Sequence, residues 1–405
     1  MTNYRRLAAL AAVPVALTLG GQEAKAGAFQ LNERSTKALG ASLAGSVSAA
    51  SDVTFITFNP AALATVENVA MGGSLSLVSP ISNAEIVTGP AAGLTDDADS
   101  ARAVPSSAAA LRVTDELVIG FGVYAPFGLV TKYDSSFPAA GDAVTSELDA
   151  VSFSPMISYE PIEGLSFGAA FNVLAIDARL TNAVIVLDGY NVEYGFSLGA
   201  LWEPIDGTQI GIAYHAGYDA ELEGIHENAI IGLAADDLIA KASLPSTFQV
   251  GITQAITDDL RVMGEFRWID WSAFDTIDVI TPSFSFAPPL DNFSDVQNYE
   301  DAFFGAIGAE YDINDQFTIR GGVAYDQTPT TDEFRTPRVP DEDRVWISAG
   351  VSFSMNEHMT MDASYSYLHA LSDPEVTIRS GPAAGSLIEY EGGAHIFSLG
   401  GEIRF

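Results

Sequence analysis

A period-two alternation recurring from near residue 67 to the last residue constrains this chain most. It is clearest at the end, where residues His395 to Phe405 read His-Ile-Phe-Ser-Leu-Gly-Gly-Glu-Ile-Arg-Phe. Phe397, Leu399, Ile403 and Phe405 fall on one side of a strand, and Ser398, Glu402 and Arg404 on the other. Successive side chains of a strand point to opposite faces, so the spacing sorts them into an apolar and a polar face. The same sorting sets Leu260, Val262, Phe266 and Trp268 against Arg261, Glu265 and Arg267. We count fourteen such segments from Glu67 on, among them 116–126, 208–220, 244–257 and 393–405. About ten residues suffice for a tilted strand to cross a membrane. A charge facing lipid near midplane costs about 2–4 kcal/mol, so the charged face must be the lumen. No stretch after the N-terminus offers the ~20 consecutive apolar residues of a helical span. The pattern predicts an all-β chain: a 14-stranded antiparallel transmembrane β-barrel over 67–405.

The connections alternate in length. Thr114–Glu116, Thr257–Asp259 and Met355–Glu357 are short, whereas 81–102, 127–146, 221–243, 272–298 and 327–342 are long, and only 181–183 departs from the rule. Short turns belong on the periplasmic side and long loops outside, which puts both termini in the periplasm of a bacterial outer membrane.

Ahead of the strands the chain changes character. Residues 1–26 read as a signal peptide, with Arg5 and Arg6, an apolar run from Leu7 to Leu19, and Ala24-Lys25-Ala26 as the cleavage site. Residues 27–66 are small and weakly helical, and Phe58-Asn59-Pro60-Ala61 reads as a turn into a short helix capped by Asn59, with Pro60 first. Some forty such residues before a barrel suit a hatch that plugs its lumen.

Charge and motifs narrow the function. Asp+Glu number 53 against Lys+Arg 18, for a net charge of −35, which argues against nucleic acid as a partner. With no Cys there is neither a disulfide framework nor a thiolate metal site. The five His have no metal-ligand spacing, and His226-Glu227 lacks the second His of a zinc protease. There is no G-x-S-x-G, so we expect no enzyme, no cofactor and no metal. The runs Asp341-Glu342-Asp343 and Thr95–Asp99 lack EF-hand spacing and read as solvated acidic loops. Trp202, Trp268, Trp271 and Trp346 lie near strand ends and read as an interfacial belt.

Several stretches, in order along nearly the whole chain after residue 26, resemble the FadL family of outer-membrane transporters for long-chain fatty acids and other hydrophobic molecules. They are Gly27-Ala28-Phe29-Gln30-Leu31-Asn32-Glu33, Asp52 with Phe58-Asn59-Pro60-Ala61, Tyr124-Ala125-Pro126-Phe127-Gly128-Leu129, Leu244-Pro245-Ser246-Thr247, Trp271–Asp275 and Thr336–Trp346. The resemblance implies a barrel with an N-terminal hatch. It also implies capture by outer loops, a site in the lumen, and sideways exit beside a kinked third strand. By position it makes Gly27, Ala28 and Phe29 substrate-site candidates.

The residues add Phe58, Asn59, Pro60, Phe127 and Leu129 as tunnel candidates, and Arg179 and Arg320 as basic partners for a carboxylate. Pairing with lumen carboxylates explains those arginines equally well. Burying a methylene yields about 0.8 kcal/mol, so fourteen give roughly 11 kcal/mol, against ~1.5–3 for one charge-assisted hydrogen bond. The tail therefore dominates affinity and the head group tunes it. The expected function is passive, hatch-gated uptake of long-chain fatty acids by a monomer, with outer-membrane lipid around it. The alternatives are an importer of aromatic or alkane hydrocarbons on the same fold and a closed structural or adhesive surface barrel.

Overall fold

The computed structural model describes residues 27–49, 51–97, 101–228, 233–280 and 292–405, so the signal-peptide reading falls outside the described residues. Alternation along the chain becomes fourteen barrel strands. They are β1 (Val69–Ile86), β2 (Arg102–Arg112), β3 (Leu117–Lys132), β4 (Thr145–Ile162), β5 (Leu165–Thr181) and β6 (Ile185–Ile205). Then come β7 (Thr208–His215, continued by Tyr218–Asn228), β8 (Leu233–Leu244, continued by Thr247–Ala255) and β9 (Leu260–Ile269). The last five are β10 (Ala302–Asn314), β11 (Phe317–Asp326), β12 (Arg344–Asn356), β13 (Met359–Ala370) and β14 (Leu387–Arg404). Each pairs antiparallel with its sequence neighbour, and β14 returns to β1 over Ala70↔Arg404 to Ile86↔Ile388. Closure removes the sheet edges that lipid could not satisfy.

The two faces are as the alternation demands. On β14 Leu399 is 68% exposed and Phe397 53%, whereas Ser398 is 2% and Glu402 5% exposed. The outward apolar band continues through Phe171, Tyr194, Ile307 and Ile347. The inward face is rich in small hydroxyls such as Ser76, Ser154, Ser348 and Ser366, which leave room inside.

That room holds the N-terminal segment. Its helix α1 (Thr36–Gly40) is capped by Ser35, and two 3-10 turns, Val53–Thr57 and Pro60–Thr65, are capped by Asp52 and Asn59. The Asn59 side chain accepts from the Ala61 N–H at 3.0 Å, and Pro60 takes the first position as the sequence suggested. The segment meets the wall where strand glycines allow close approach: a Cβ on Gly211 would lie 1.9 Å from the Val47 carbonyl oxygen, and one on Gly199 2.0 Å from Asn59 Oδ1.

Three readings are corrected. The stretch 221–243, expected as a loop, extends β7 and β8 into a long hairpin. Asp341 is buried rather than solvated, because the backbone of the N-terminal segment and Arg344 hydrogen-bond to it. Trp271 and Trp346 are fully buried and so cannot belong to an interfacial belt.

Candidate functional site

The site begins where β3 leaves the wall. Pro126 has no N–H to give the ladder, and the register of β3 with β4 slips between Tyr124 and Phe127. The lower part of β3 pairs with β2 over Ser107↔Val123 to Arg112↔Val118. Above it, among the barrel strands, Arg102–Ser106 pairs only with β1, and Phe127–Lys132 only with β4. The ladder between β2 and β3 is therefore open in its outer half. Burial shows where the freed stretch has gone: Pro126 to Thr131 lose the alternation and are buried on both faces, inside the barrel.

The N-terminal residues add to the freed edge. The Leu31 N–H donates to the Pro126 carbonyl at 2.9 Å and the Gly128 N–H to the Phe29 carbonyl at 2.8 Å. Two buried carboxylates fix the start of this segment, with Gly27 N donating to Asp326 at 3.3 Å and Ala28 N to Asp341 at 2.9 Å. Arg344 bridges the same pair at 3.2 and 2.8 Å. Ala28 adopts φ 53°, a left-handed conformation worth about 1–3 kcal/mol of strain, which these bonds hold in place.

The segment thereby aims Phe29 into an aromatic cage. Its ring centroid is 4.7 Å from that of Trp271, 5.2 Å from Phe274 and 6.2 Å from Phe127. Outside the cage opens an apolar cavity of about 960 Å³, its mouth included, at the upper end of the usual range for ligand sites. Phe29 and Leu129 floor it, Ile176 and Leu180 of β5 form one side, and Leu222, Leu238 and Leu244 of the β7–β8 hairpin form another. Arg338, mostly buried, enters from the loop between β11 and β12. Its donors go to the carbonyls of Asp142 and Thr145 at 2.9 and 3.2 Å and to Ser146 Oγ at 3.0 Å. No carboxylate among the described residues forms an ion pair with it. Burial lowers its pKa while Asp295 and Asp142 hold it up, so it stays a cation.

The residues singled out from the sequence divide. Gly27, Ala28, Phe29, Phe127 and Leu129 come together at the cavity and its floor. Phe58 lies deeper, 1% exposed, beneath the Arg34 guanidinium at 5.3 Å. Asn59 and Pro60 do not line this cavity, and Asn59 Nδ2 ties the segment to itself and to β6 through Val47 O at 2.8 Å and Ala200 O at 3.0 Å. Arg179 is half exposed, pairs with Asp188 at 2.6 Å and does not line the cavity. Arg320 is buried under α1, paired with Glu310 at 2.9 Å. Sequence reasoning missed Arg338 and the hairpin wall.

A family model, "Outer membrane protein transport protein (OMPP1/FadL/TodX)", matches residues 17–405. Outer membrane protein P1 of Haemophilus influenzae is 25% identical, covering 89% of each chain. The long-chain fatty acid transport protein of Escherichia coli K12 is 22% identical over 98% of each. Among solved structures, a Pseudomonas aeruginosa FadL homologue superposes with TM-score 0.82 at 20% identity, covering 93% of this chain and 100% of its own. The Ralstonia pickettii toluene transporter TbuX gives 0.67 at 20%, covering 93% and 99%. A closed fourteen-strand barrel with lipid-facing apolar residues, matched by that model over its whole described length, belongs to the OMPP1/FadL/TodX family: it is a bacterial outer-membrane transporter of hydrophobic compounds.

Proposed function

We propose that this chain takes up long-chain fatty acids by passive diffusion, with residues 27–66 as the hatch and the open half-ladder between β2 and β3 as the lateral exit. The observation that carries the reading is Arg338, a cation hydrogen-bonded only to neutral oxygens on the wall of a mostly apolar cavity. A carboxylate head group supplies a direct ion pair that Asp295 and Asp142 do not, while the acyl chain lies against Leu180, Leu222, Leu238 and Leu244. Substrate reaches the cavity from the outer loops and displaces Phe29 from its cage. That displacement frees the inward stretch of β3, and the substrate leaves sideways into the membrane.

A second reading is favoured by the cavity wall, which is apolar apart from a few groups: import of neutral aromatic hydrocarbons, the cargo in the name of the Ralstonia relative. The two separate on Arg338→Met in purified full-length protein. The acid reading expects oleate affinity to fall at least tenfold with toluene binding unchanged, matching the ~1.5–3 kcal/mol of one charge-assisted bond. Unchanged oleate affinity, with toluene bound more tightly than oleate, would favour the hydrocarbon reading. Arg179→Met is the control: an exposed pair contributes about 0–1 kcal/mol, so oleate affinity should move less than about fivefold.

A further inference from the structure

Below the aromatic cage lies a second cavity of a different kind. It encloses about 450 Å³, openings included, and polar groups dominate its walls: Gln30, Asn32, Arg34, His215 and Gln249. Tyr124, Pro126 and Phe127 complete it, and these belong to the stretch of β3 that has left β2. The two cavities meet at the hatch segment, which sends Phe29 into the upper one and Gln30 into the lower one.

Two guanidinium groups border this chamber, and they are not equivalent. Arg267 is satisfied, through Glu265 at 2.7 Å, Asn32 at 2.6 Å and Ser46 at 2.9 Å. Arg34 is 7% exposed, and its Nη1 donates to the Thr57 carbonyl at 3.0 Å. Its Nε is buried with no partner, and no carboxylate among the described residues forms an ion pair with it. It sits over the rings of Tyr124 at 4.4 Å and Phe58 at 5.3 Å, which orient the guanidinium without neutralising it. A buried cation with an unused donor is expensive unless something anionic shares the space. Gln249 Oε1, on the same wall, is also without a partner.

We propose that this chamber is a second binding station, for the carboxylate of an amphiphilic substrate, and that Arg34 holds it beside the open half-ladder. The proposal rests on the uptake reading and deepens it. The head group leaves Arg338, passes the Phe29–Phe127 barrier when the hatch segment lifts, and is held by Arg34 while the acyl chain moves out between β2 and β3. A neutral hydrocarbon has no use for the station.

The test compares oleate with oleyl alcohol, which shares the chain and lacks the charge, in vesicles reconstituted with full-length protein. Arg34→Met is expected to slow oleate uptake at least tenfold, leave oleyl alcohol within twofold, and leave equilibrium oleate affinity within twofold. Arg34→Lys, which keeps the charge, is expected to regain at least a third of the oleate rate. Equal losses for acid and alcohol would reduce Arg34 to a packing residue and overturn the proposal, as would an unchanged oleate rate or a loss of affinity matching the loss of rate. Wild-type protein that moved neither compound would overturn the uptake reading itself, a result distinct from any of these.

Discussion

The lower and upper halves of this lumen are filled by opposite rules. Below, the N-terminal segment fits the wall group for group. Ser46 donates to Glu265 and Ser42 to Ser348, both at 2.7 Å, and the Val53 N–H meets Glu402 at 2.8 Å. Gly168 on β5 and Gly211 on β7 bring the backbones into contact there. Above, the wall is mostly aliphatic and none of the described residues fills the space between the β7–β8 hairpin and β5. Satisfied polar contacts at native packing density make a part that stays put. Apolar surface without a partner makes a part that accepts a guest. The joint between them is the stretch Gly27–Leu31, attached to the lower half by sequence and to the upper half by Phe29.

The contrast can be broken most severely from below. Gly211→Val places a side chain where the Val47 carbonyl sits, so the segment must move off the wall. Small-ion conductance in planar bilayers is expected to rise at least tenfold, while the detergent-solubilised variant keeps its oleate affinity within about threefold. Conductance at the wild-type level would mean that the lower half does not block the lumen through this contact.

Phe29→Ala acts on the joint alone. Loss of a buried aromatic costs about 3–5 kcal/mol when the site cannot collapse. Exchange of the Leu31 and Gly128 amides, which bond between the segment and β3, should accelerate at least a hundredfold. The Val47 amide, bound to Glu265 below, should be unaffected. Equal acceleration at both places would show one cooperative unit in place of two halves.

The smallest effect is electrostatic. Burial lifts the Glu33 carboxyl to about 7 from the usual 4.5, against the opposing pull of backbone N–H bonds from Asn32 and Glu33 and of the charges on Arg34 and Arg344. A raised pKa means the seated segment favours the protonated acid. Its stabilisation is present below pH 4.5 and is lost as pH rises towards 7. Brief opening events in bilayer recordings should become more frequent between pH 5 and pH 8 in the wild type, and Glu33→Gln should flatten that trend. A variant that kept the full pH dependence would assign it to another group.

How far the sequence carried this picture depends on whether a property is local. The faces of β9 and β14 follow from residue spacing, because each side chain needs only a pleat to know its side. Asn59 and Pro60 declared a helix start for the same reason. The inward turn of β3 was expected only from the family resemblance and was not legible in the residue pattern, since the alternation stops at Pro126 and a strand segment buried on both faces looks like a loop. The β7–β8 hairpin was hidden although its signal is there: Ala220 and Leu222 alternate with Glu221 and Glu223, as do Leu238, Ala240 and Ala242 with their neighbours. Arg179 and Arg320 drew attention for lying on alternating strands, yet Arg338 is the arginine in the cavity. Its placement depends on Asp142 and Ser146, nearly two hundred positions away, and no local pattern reports that.

A strand that leaves its neighbour exposes a row of unpaired N–H and C=O groups, and such an edge recruits any extended peptide within reach. Here the recruit is the chain's own Phe29–Leu31, which holds the edge through only two backbone hydrogen bonds. At about 0.5–1.5 kcal/mol each, they are a light guard. It is strong enough to keep a barrel from capturing a neighbour's strand during assembly in a crowded membrane. It is also weak enough to be exchanged without disturbing the rest of the sheet.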